Sequence, residues 1–482
     1  MKYIISLLLF VFLLSCEKFS PVSENTTKVV IHIDVPPDEV LIVRDNPYDF
    51  NYEYETVAGS KINKDFIFEI QFDLKQPEVF QLRTKRDNVL IDRLYLYPND
   101  ELKISIDNTN SEDVNVTYEG KSAKANSFVK NIKEQYKKDQ DFFDHLNNSD
   151  AQAFIEWADK RHDEMLDYYK NYFFKDSVPD IVNRNEISNI NFDWAYIRID
   201  WTLRHFFYKP DNWNTKIIPD NYYSFLKELN IIEPYLSLFL SQYLESLIWE
   251  WHISEVQKGV EPTAQNRETA KFHIAKQKFF GESADIAMSL CLNDLLVMAF
   301  DERMMGVINQ LLDEFKVSVK NKNYLHGIEK LYKKRLSLMK GLPAPDFTLP
   351  NLFNAPISLK DFKGKTVYCY FWSTQYEPSR EMAKFLNQIQ IYNLRNPNIS
   401  FISVAMEEDA QEKWKRIVEA DTLTGIQLYS EGLFANKVAI DYMINSIPFA
   451  FIVDKDGKIA MMNAPFPTDN SLINILTGYM SK

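Results

Sequence analysis

Phe371-Trp-Ser-Thr-Gln-Tyr-Glu-Pro-Ser-Arg380 separates two stretches of opposite character. Before it, Thr366-Val-Tyr-Cys-Tyr-Phe-Trp372 is β-branched and aromatic, the composition of a buried strand. After it, Glu381-Met-Ala-Lys-Phe-Leu-Asn-Gln-Ile-Gln390 spaces its apolar residues as a helix does. Pro378 suits the first turn of that helix, where N–H groups have no helical acceptor in any case. The decade is a strand-to-helix turn. Cys369 lies inside the strand, four residues before Ser373, and at the rise of a strand that is ~13 Å from the turn. It reads as a small buried apolar residue.

Outward from this turn, strand and helix alternate. Residues 379 to 394 read as helix, Ile399 to Ala405 as strand and 409 to 420 as helix. Phe449-Ala-Phe-Ile-Val453, the turn Asp454-Lys-Asp-Gly457 and Lys458-Ile-Ala460 read as a hairpin, followed by a helix over 469–480. Such alternation predicts an α/β layered sheet. Its entry is Gly341-Leu-Pro-Ala-Pro-Asp-Phe-Thr-Leu349, where a glycine and two prolines end the preceding helix and enforce extended backbone.

The rest of the 482 residues divides into two further regions. Over 28–120 the pattern is β. Phe66, Phe68, Ile70 and Phe72 alternate with Ile67, Glu69 and Gln71, and Leu94 to Tyr97 leads through Pro98-Asn-Asp100 into Leu102, Ile104 and Ile106. Short strands with regular turns predict an antiparallel sandwich-like domain. Over 121–340 the period is helical. Leu236, Phe239, Leu240, Tyr243, Leu244, Leu247 and Trp251 follow one face, and Met304, Val307, Ile308, Leu311, Leu312 and Phe315 another. Breaks near Pro179, Pro210, Pro219 and Pro234 divide it into seven to nine helices. Its aromatics (Phe154, Trp157, Tyr168, Tyr169, Phe173) stand at helical spacing, which makes them core before it makes them a ligand groove.

A net charge of −13, with no long run of one sign, excludes nucleic acid as the main partner. The seven histidines are scattered and no His/Asp/Glu cluster has metal-ligand spacing, so neither metal nor cofactor is implied. At the N-terminus, Lys2 precedes Tyr3-Ile-Ile-Ser-Leu-Leu-Leu-Phe-Val-Phe-Leu-Leu14, too short to span a bilayer but sufficient for a secretory signal over 1–15. Leu13-Leu-Ser-Cys16 resembles a bacterial lipobox, which implies acylation at Cys16 and a membrane anchor. Residues 16–27 would be a polar tether. Glu17, by resemblance to lipoprotein sorting rules, points to the outer rather than the inner membrane of a cell envelope.

Four motifs then fall in a familiar order: Ala344-Pro-Asp-Phe-Thr-Leu349, Ile357-Ser-Leu-Lys-Asp-Phe-Lys-Gly-Lys365, the Trp372 turn, and Ile447-Pro448 before a strand. Residues 341–482 thereby resemble the thioredoxin-like branch containing the membrane-attached TlpA and ResA thiol reductases. Glu377-Pro378 matches the Glu-Pro between the two cysteines of ResA-like proteins. The resemblance implies an α/β thioredoxin-like fold, and it places Tyr376 and Ser379 at the nucleophilic and resolving cysteine positions. It also implies that Pro448 is cis and that Ile447 pairs with extended substrate backbone. Leu94-Tyr-Leu-Tyr-Pro-Asn-Asp100 and Tyr118-Glu-Gly120 resemble the N-terminal β-domain of envelope lipoproteins that end in such a module.

Exchange of a disulfide needs a thiolate and a second sulfur. A phenol and an alcohol provide neither, and disulfide partners need α-carbons within about 7 Å, which excludes Cys369 as a substitute. The expected protein is a redox-silent, lipid-anchored binding module that holds an envelope protein or an extended peptide. Tyr376 and Ile447 either flank its groove, or Tyr376 plugs it. Two alternatives stand beside this. Cys369 or Cys291 becomes accessible and the protein assists envelope disulfide chemistry, or the domain is a scaffold and function lies in the helical region.

Overall fold

The computed structural model describes residues 25–44, 55–64, 66–85, 89–109, 114–137, 139, 141–207, 222–227, 229, 235–260, 263–393, 396–408 and 410–480. The expected signal over 1–15, Cys16 and most of the expected tether lie outside the described residues, as do Pro210, Pro219 and Pro234.

Eight strands build the N-terminal region: β1 (Thr26–Ile33), β2 (Glu39–Arg44), β3 (Glu55–Lys61), β4 (Ile67–Asp73), β5 (Glu78–Thr84), β6 (Val89–Leu96), β7 (Glu101–Asp107) and β8 (Asn115–Glu119). They form two four-stranded sheets, ordered β4-β1-β7-β8 and β3-β2-β5-β6. Val29, Ile31 and Phe68 from one sheet and Ile42, Phe80 and Leu94 from the other share a single buried core. This is the face-to-face packing expected when alternate residues of every strand point inward. The antiparallel expectation fails at one pair, because β1 and β7 run parallel. Phe66 also departs from the reading. It sits in a turn at φ 60° and is 61% exposed, and the strand begins one residue later, where Ile67 N–H bonds Asn63 Oδ1 at 3.0 Å.

Nine helices follow among the described residues. They are α1 (Ala123–Lys137), α2 (Phe142–Asn148), α3 (Ala151–Tyr172), α4 (Asp180–Thr202), α5 (Tyr235–Gln257), α6 (Ala264–Lys278), α7 (Glu282–Met298), α8 (Glu302–Ser318) and α9 (Lys322–Ser337). Asp150, Thr263, Asp301 and Asn321 cap α3, α6, α8 and α9 by accepting a first-turn N–H. The α8 face reads as expected, with Ile308, Leu311, Leu312 and Phe315 buried. On α5, Ile248 is fully buried although the anticipated face omitted it. Phe154 stacks on Trp201 with ring centres 5.5 Å apart, and both are buried, so the aromatics build core.

The C-terminal region holds a short hairpin, β9 (Thr348–Pro350) and β10 (Pro356–Ser358), and a five-stranded sheet. Its strands are β11 (Thr366–Trp372), β12 (Ile399–Glu407), β13 (Ile426–Glu431), β14 (Phe449–Val453) and β15 (Ile459–Met461). The order is β13-β12-β11-β14-β15; β11, β12 and β13 are mutually parallel, β14 and β15 antiparallel to their neighbours. Helices α10 (Glu377–Asn393), α11 (Gln411–Ala420), α12 (Lys437–Tyr442) and α13 (Ser471–Met480) complete it. Every residue of β11 is buried, as a central parallel strand requires. Its alternate residues serve two cores. Tyr368, Tyr370 and Trp372 pack with Leu386, Trp414 and Leu472 of the helices. Val367, Cys369 and Phe371 face a second core that continues across residue 340 into the helical region. Neither β13 nor the β9–β10 hairpin was anticipated from sequence.

Candidate functional site

β11 delivers its last side chain, Trp372, into full burial, and the chain then turns into α10. Ser373 and Thr374 stay buried, whereas Gln375, Tyr376, Glu377 and Pro378 are exposed. Tyr376, at 46% exposure, is the large apolar surface of this turn. Its carbonyl accepts from Ser379 N–H at 3.0 Å and Arg380 N–H at 3.2 Å, so it opens the helix that Glu377 and Pro378 begin.

Ser379 is fully buried, and its bonding is structural. Its Oγ accepts the Ser373 N–H at 3.1 Å and lies 2.8 Å from Tyr376 O and 3.2 Å from Ser373 O, either of which can accept its proton. Tyr370 O–H donates to Ser379 O at 2.8 Å. The hydroxyl closes the turn on itself. No histidine or carboxylate stands among these hydrogen-bond partners, so nothing here draws a proton from the hydroxyl.

A second group holds the turn from below. Glu407, the last residue of β12, accepts the Thr374 N–H and, at 3.3 Å, the Ser373 O–H. It is fully buried, and burial outweighs these bonds to hold its carboxyl above the ordinary carboxylate range. On the outer side Arg380 grips Asp421 through two bonds, Nε to Oδ2 at 2.6 Å and Nη2 to Oδ1 at 2.8 Å. That contact keeps the Asp421 carboxyl below its usual value.

Ile447-Pro448 reaches the same end of the sheet through strand register. β11 and β14 are antiparallel with Phe371 opposite Phe449, so the residues after Trp372 and those before Phe449 leave the sheet together. The Ile447–Pro448 bond is cis and Ile447 is half-buried against the core shared with the helical region. The structure thus brings Trp372, Tyr376, Ser379, Ile447 and Pro448 to one end of the sheet.

The two described cysteines are elsewhere. Cys369 lies in mid-strand opposite Ile402 and Phe451, Cys291 lies inside α7, and both are free and fully buried. Burial pushes both thiols up, away from the thiolate that exchange needs. A cavity lined by Leu359, Phe362, Val367 and Val453 lies at the opposite end of β11 and β14 and is not part of this turn. Among the described residues no group of three or more His, Cys, Asp or Glu could hold a metal ion, and no helix is long and apolar enough to cross a membrane.

Sequence reasoning missed Glu407, Arg380 and Asp421. A signal for Glu407 existed: an acidic residue ends the apolar run Phe401–Met406, at the carboxyl end of a sheet strand, where α/β sheets place their sites.

Residues 341–462 match the AhpC/TSA family. The thioredoxin-like protein YneN of Bacillus subtilis is 28% identical over 128 residues, 26% of this chain and 72% of that one. A thiol-disulfide oxidoreductase ResA of Bacillus cereus is 30% identical over 121 residues, 25% of this chain and 66% of ResA. Among solved structures, a putative thiol-disulfide oxidoreductase from Bacteroides vulgatus aligns at 25% identity, over 30% of this chain and 98% of that one, with a TM-score of 0.27. The C-terminal region is an AhpC/TSA thioredoxin-like domain with thiol-disulfide oxidoreductase homologues. The first 340 residues fall outside the family match.

Proposed function

We propose that this chain, whose C-terminal domain is of the AhpC/TSA thioredoxin-like kind, is a lipid-anchored envelope protein. In it that domain binds an extended polypeptide and performs no dithiol exchange. The observation that carries the reading is the pair Tyr376 and Ser379. At the turn where the resemblance implies two sulfurs there is an exposed phenol and a buried hydroxyl that accepts one hydrogen bond and donates another within the turn. Neither atom accepts or donates electrons at physiological potentials, and the buried Cys369 gives a reductant no access. What persists is a shaped end of the sheet. Tyr376 projects from the turn, Ile447 lies half-buried at the same end of the sheet, and the resemblance implies that an extended substrate backbone pairs beside Ile447. The anchor is Cys16, and the outer membrane is its destination by the Glu17 rule.

Two measurements on the purified full chain test this. Reduction of insulin disulfides by dithiothreitol is expected to proceed at the uncatalysed rate, and measurable catalysis would overturn the redox-silent reading. A photo-cross-linking residue at Tyr376 is expected to capture an envelope polypeptide in intact cells, and Ile447→Arg to abolish the adduct. Capture that is indifferent to Ile447 would remove the groove.

A further inference from the structure

Two segments far apart in sequence form one tip of the helical region. Lys276 Nζ of α6 donates to Glu314 Oε2 of α8 at 2.8 Å. Asp285 of α7 accepts the Lys320 and Asn321 N–H groups at 3.1 and 2.8 Å. These bonds bring the α6–α7 connection beside the end of α8. From that tip Phe280 is 83% and Val317 88% exposed, although their neighbours turn inward: Phe315 is fully buried and Phe279 packs on Tyr243 with ring centres 5.8 Å apart. A single exposed apolar side chain needs no explanation, but two projecting from one stitched tip do.

The surrounding charge is slightly basic on an acidic chain. Lys276, Lys278, Lys316, Lys320 and Lys322 stand in these segments against Glu282, Asp285, Asp313 and Glu314, on a protein of net charge −13. Lys276 and Lys316 are paired with Glu314 and Asp313. Lys278 and Lys320 are exposed and have no carboxylate at ion-pair distance among the described residues.

We propose that this tip rests on an anionic lipid surface, with Phe280 and Val317 entering the headgroup layer and Lys278 and Lys320 meeting lipid phosphates. Protein interfaces are depleted in lysine, whereas protruding apolar groups flanked by unpaired lysines such as Lys278 and Lys320 have the composition of a surface that lies on a membrane. The occupant rests on the membrane-tethered reading above; the test does not. A tether alone leaves orientation free, and a second weak contact would fix which face of the protein points away from the bilayer.

Full-length protein carrying Cys16→Ser lacks both the acylation site and the one cysteine outside the buried pair. Phe280→Cys in that background takes a polarity-sensitive fluorophore at a single position, and Thr56→Cys on β3 serves as a control site. With phosphatidylglycerol vesicles the label at 280 is expected to shift to the blue and the label at 56 to stay unchanged. K278E/K320E is expected to weaken the apparent affinity about tenfold or more, given the contribution of each lysine near a charged bilayer. No shift at 280, an equal shift at 56, a shift as large on phosphatidylcholine, or indifference to the lysine changes would overturn the proposal. So would a shift produced only by added envelope protein. Mass spectrometry of the native N-terminus tests the lipid anchor separately.

Discussion

Between the β-sandwich and the helices buried hydrogen bonds run through an apolar cluster of Tyr95, Phe128, Val129 and Val182, whereas between the helices and the thioredoxin-like domain the contact is aromatic and continuous. At the first seam Asn126 of α1 donates to Tyr95 O at 2.9 Å and accepts Tyr95 N–H at 2.8 Å, extending the hydrogen bonding of β6 with a side chain. Tyr95 O–H then donates to Glu186 of α4 at 2.6 Å, with Arg93 Nε 3.3 Å from the same carboxylate oxygen. Asp100 accepts Ser122 N–H at 2.8 Å, fixing the entry to α1. Gly120 permits that entry at φ 138°, where a Cβ would come within 2.6 Å of Glu101 O. At the second seam Phe300 meets Phe449 with ring centres 6.2 Å apart, and Arg335 lies 5.3 Å over Phe300. Arg335 is itself buried and donates to Leu296 O at 2.6 Å and Val297 O at 2.8 Å, so a cation caps α7 and supports the aromatic contact.

The difference matters because the two seams respond to different forces. A polar seam is specific in geometry and depends on protonation; an apolar seam depends on filled volume. Phe449, at the second seam, is also the residue after Pro448. The helical region therefore supports the very end of the sheet at which a polypeptide is proposed to bind.

The largest expected effect is at the aromatic seam. Phe449→Ala removes a buried ring and is expected to destabilise by about 4 kcal/mol, the range of buried phenylalanine truncations. Hydrogen exchange should show α7 and β11 losing protection together, and loss confined to β11 would break the idea of a shared core.

At the polar seam Glu186→Ala removes the carboxylate that Tyr95 and Arg93 both engage, at a cost of about 3 kcal/mol. Glu186→Gln sharpens the contrast through pH. Burial outweighs Arg93 and Tyr95 and raises the Glu186 carboxyl above 4.5. The folded chain therefore holds this proton more tightly than the unfolded one, and stability falls as pH rises from about 4.5 through the folded value. Glutamine does not titrate, so the midpoint of Glu186→Gln relative to the parent is expected to rise between about pH 4 and pH 7.5. A constant difference across that range would show that Glu186 is not the group responsible.

The smallest effect belongs to the turn. Arg380→Ala loses the two bonds to Asp421, but the arginine side chain is 25% exposed and solvent screens the pair. A loss of about 0.5–1 kcal/mol in denaturant unfolding is expected, and a loss above about 2 kcal/mol would make this contact part of the core.

The fold of the last third was legible in sequence because β11 and β12 are mostly apolar and β-branched or aromatic, and the helices between the strands keep a helical period. β13 was not. Ile426-Gln-Leu-Tyr-Ser-Glu431 is short and mixed, and it becomes a strand by pairing with β12 at Ile402 to Glu407. In the sandwich, β3 was missed for a similar reason: Glu55-Thr-Val-Ala-Gly-Ser-Lys61 is half exposed along its length and is fixed by its register with β2. The turn itself was read residue by residue, but Glu407 beneath it lies 33 positions from Thr374, beyond the reach of any local pattern.

What the chain determined alone is its chemistry and its periods. No folding can place sulfur at positions 376 and 379, and alternation in β11 assigns its side chains to opposite faces before any neighbour is known. What only the tertiary structure decided is which of those faces meets the helices, which carboxylate supports the turn and which aromatic rings join the domains. Those are contacts between residues distant in sequence, whose energy exists only once the backbone has brought them together.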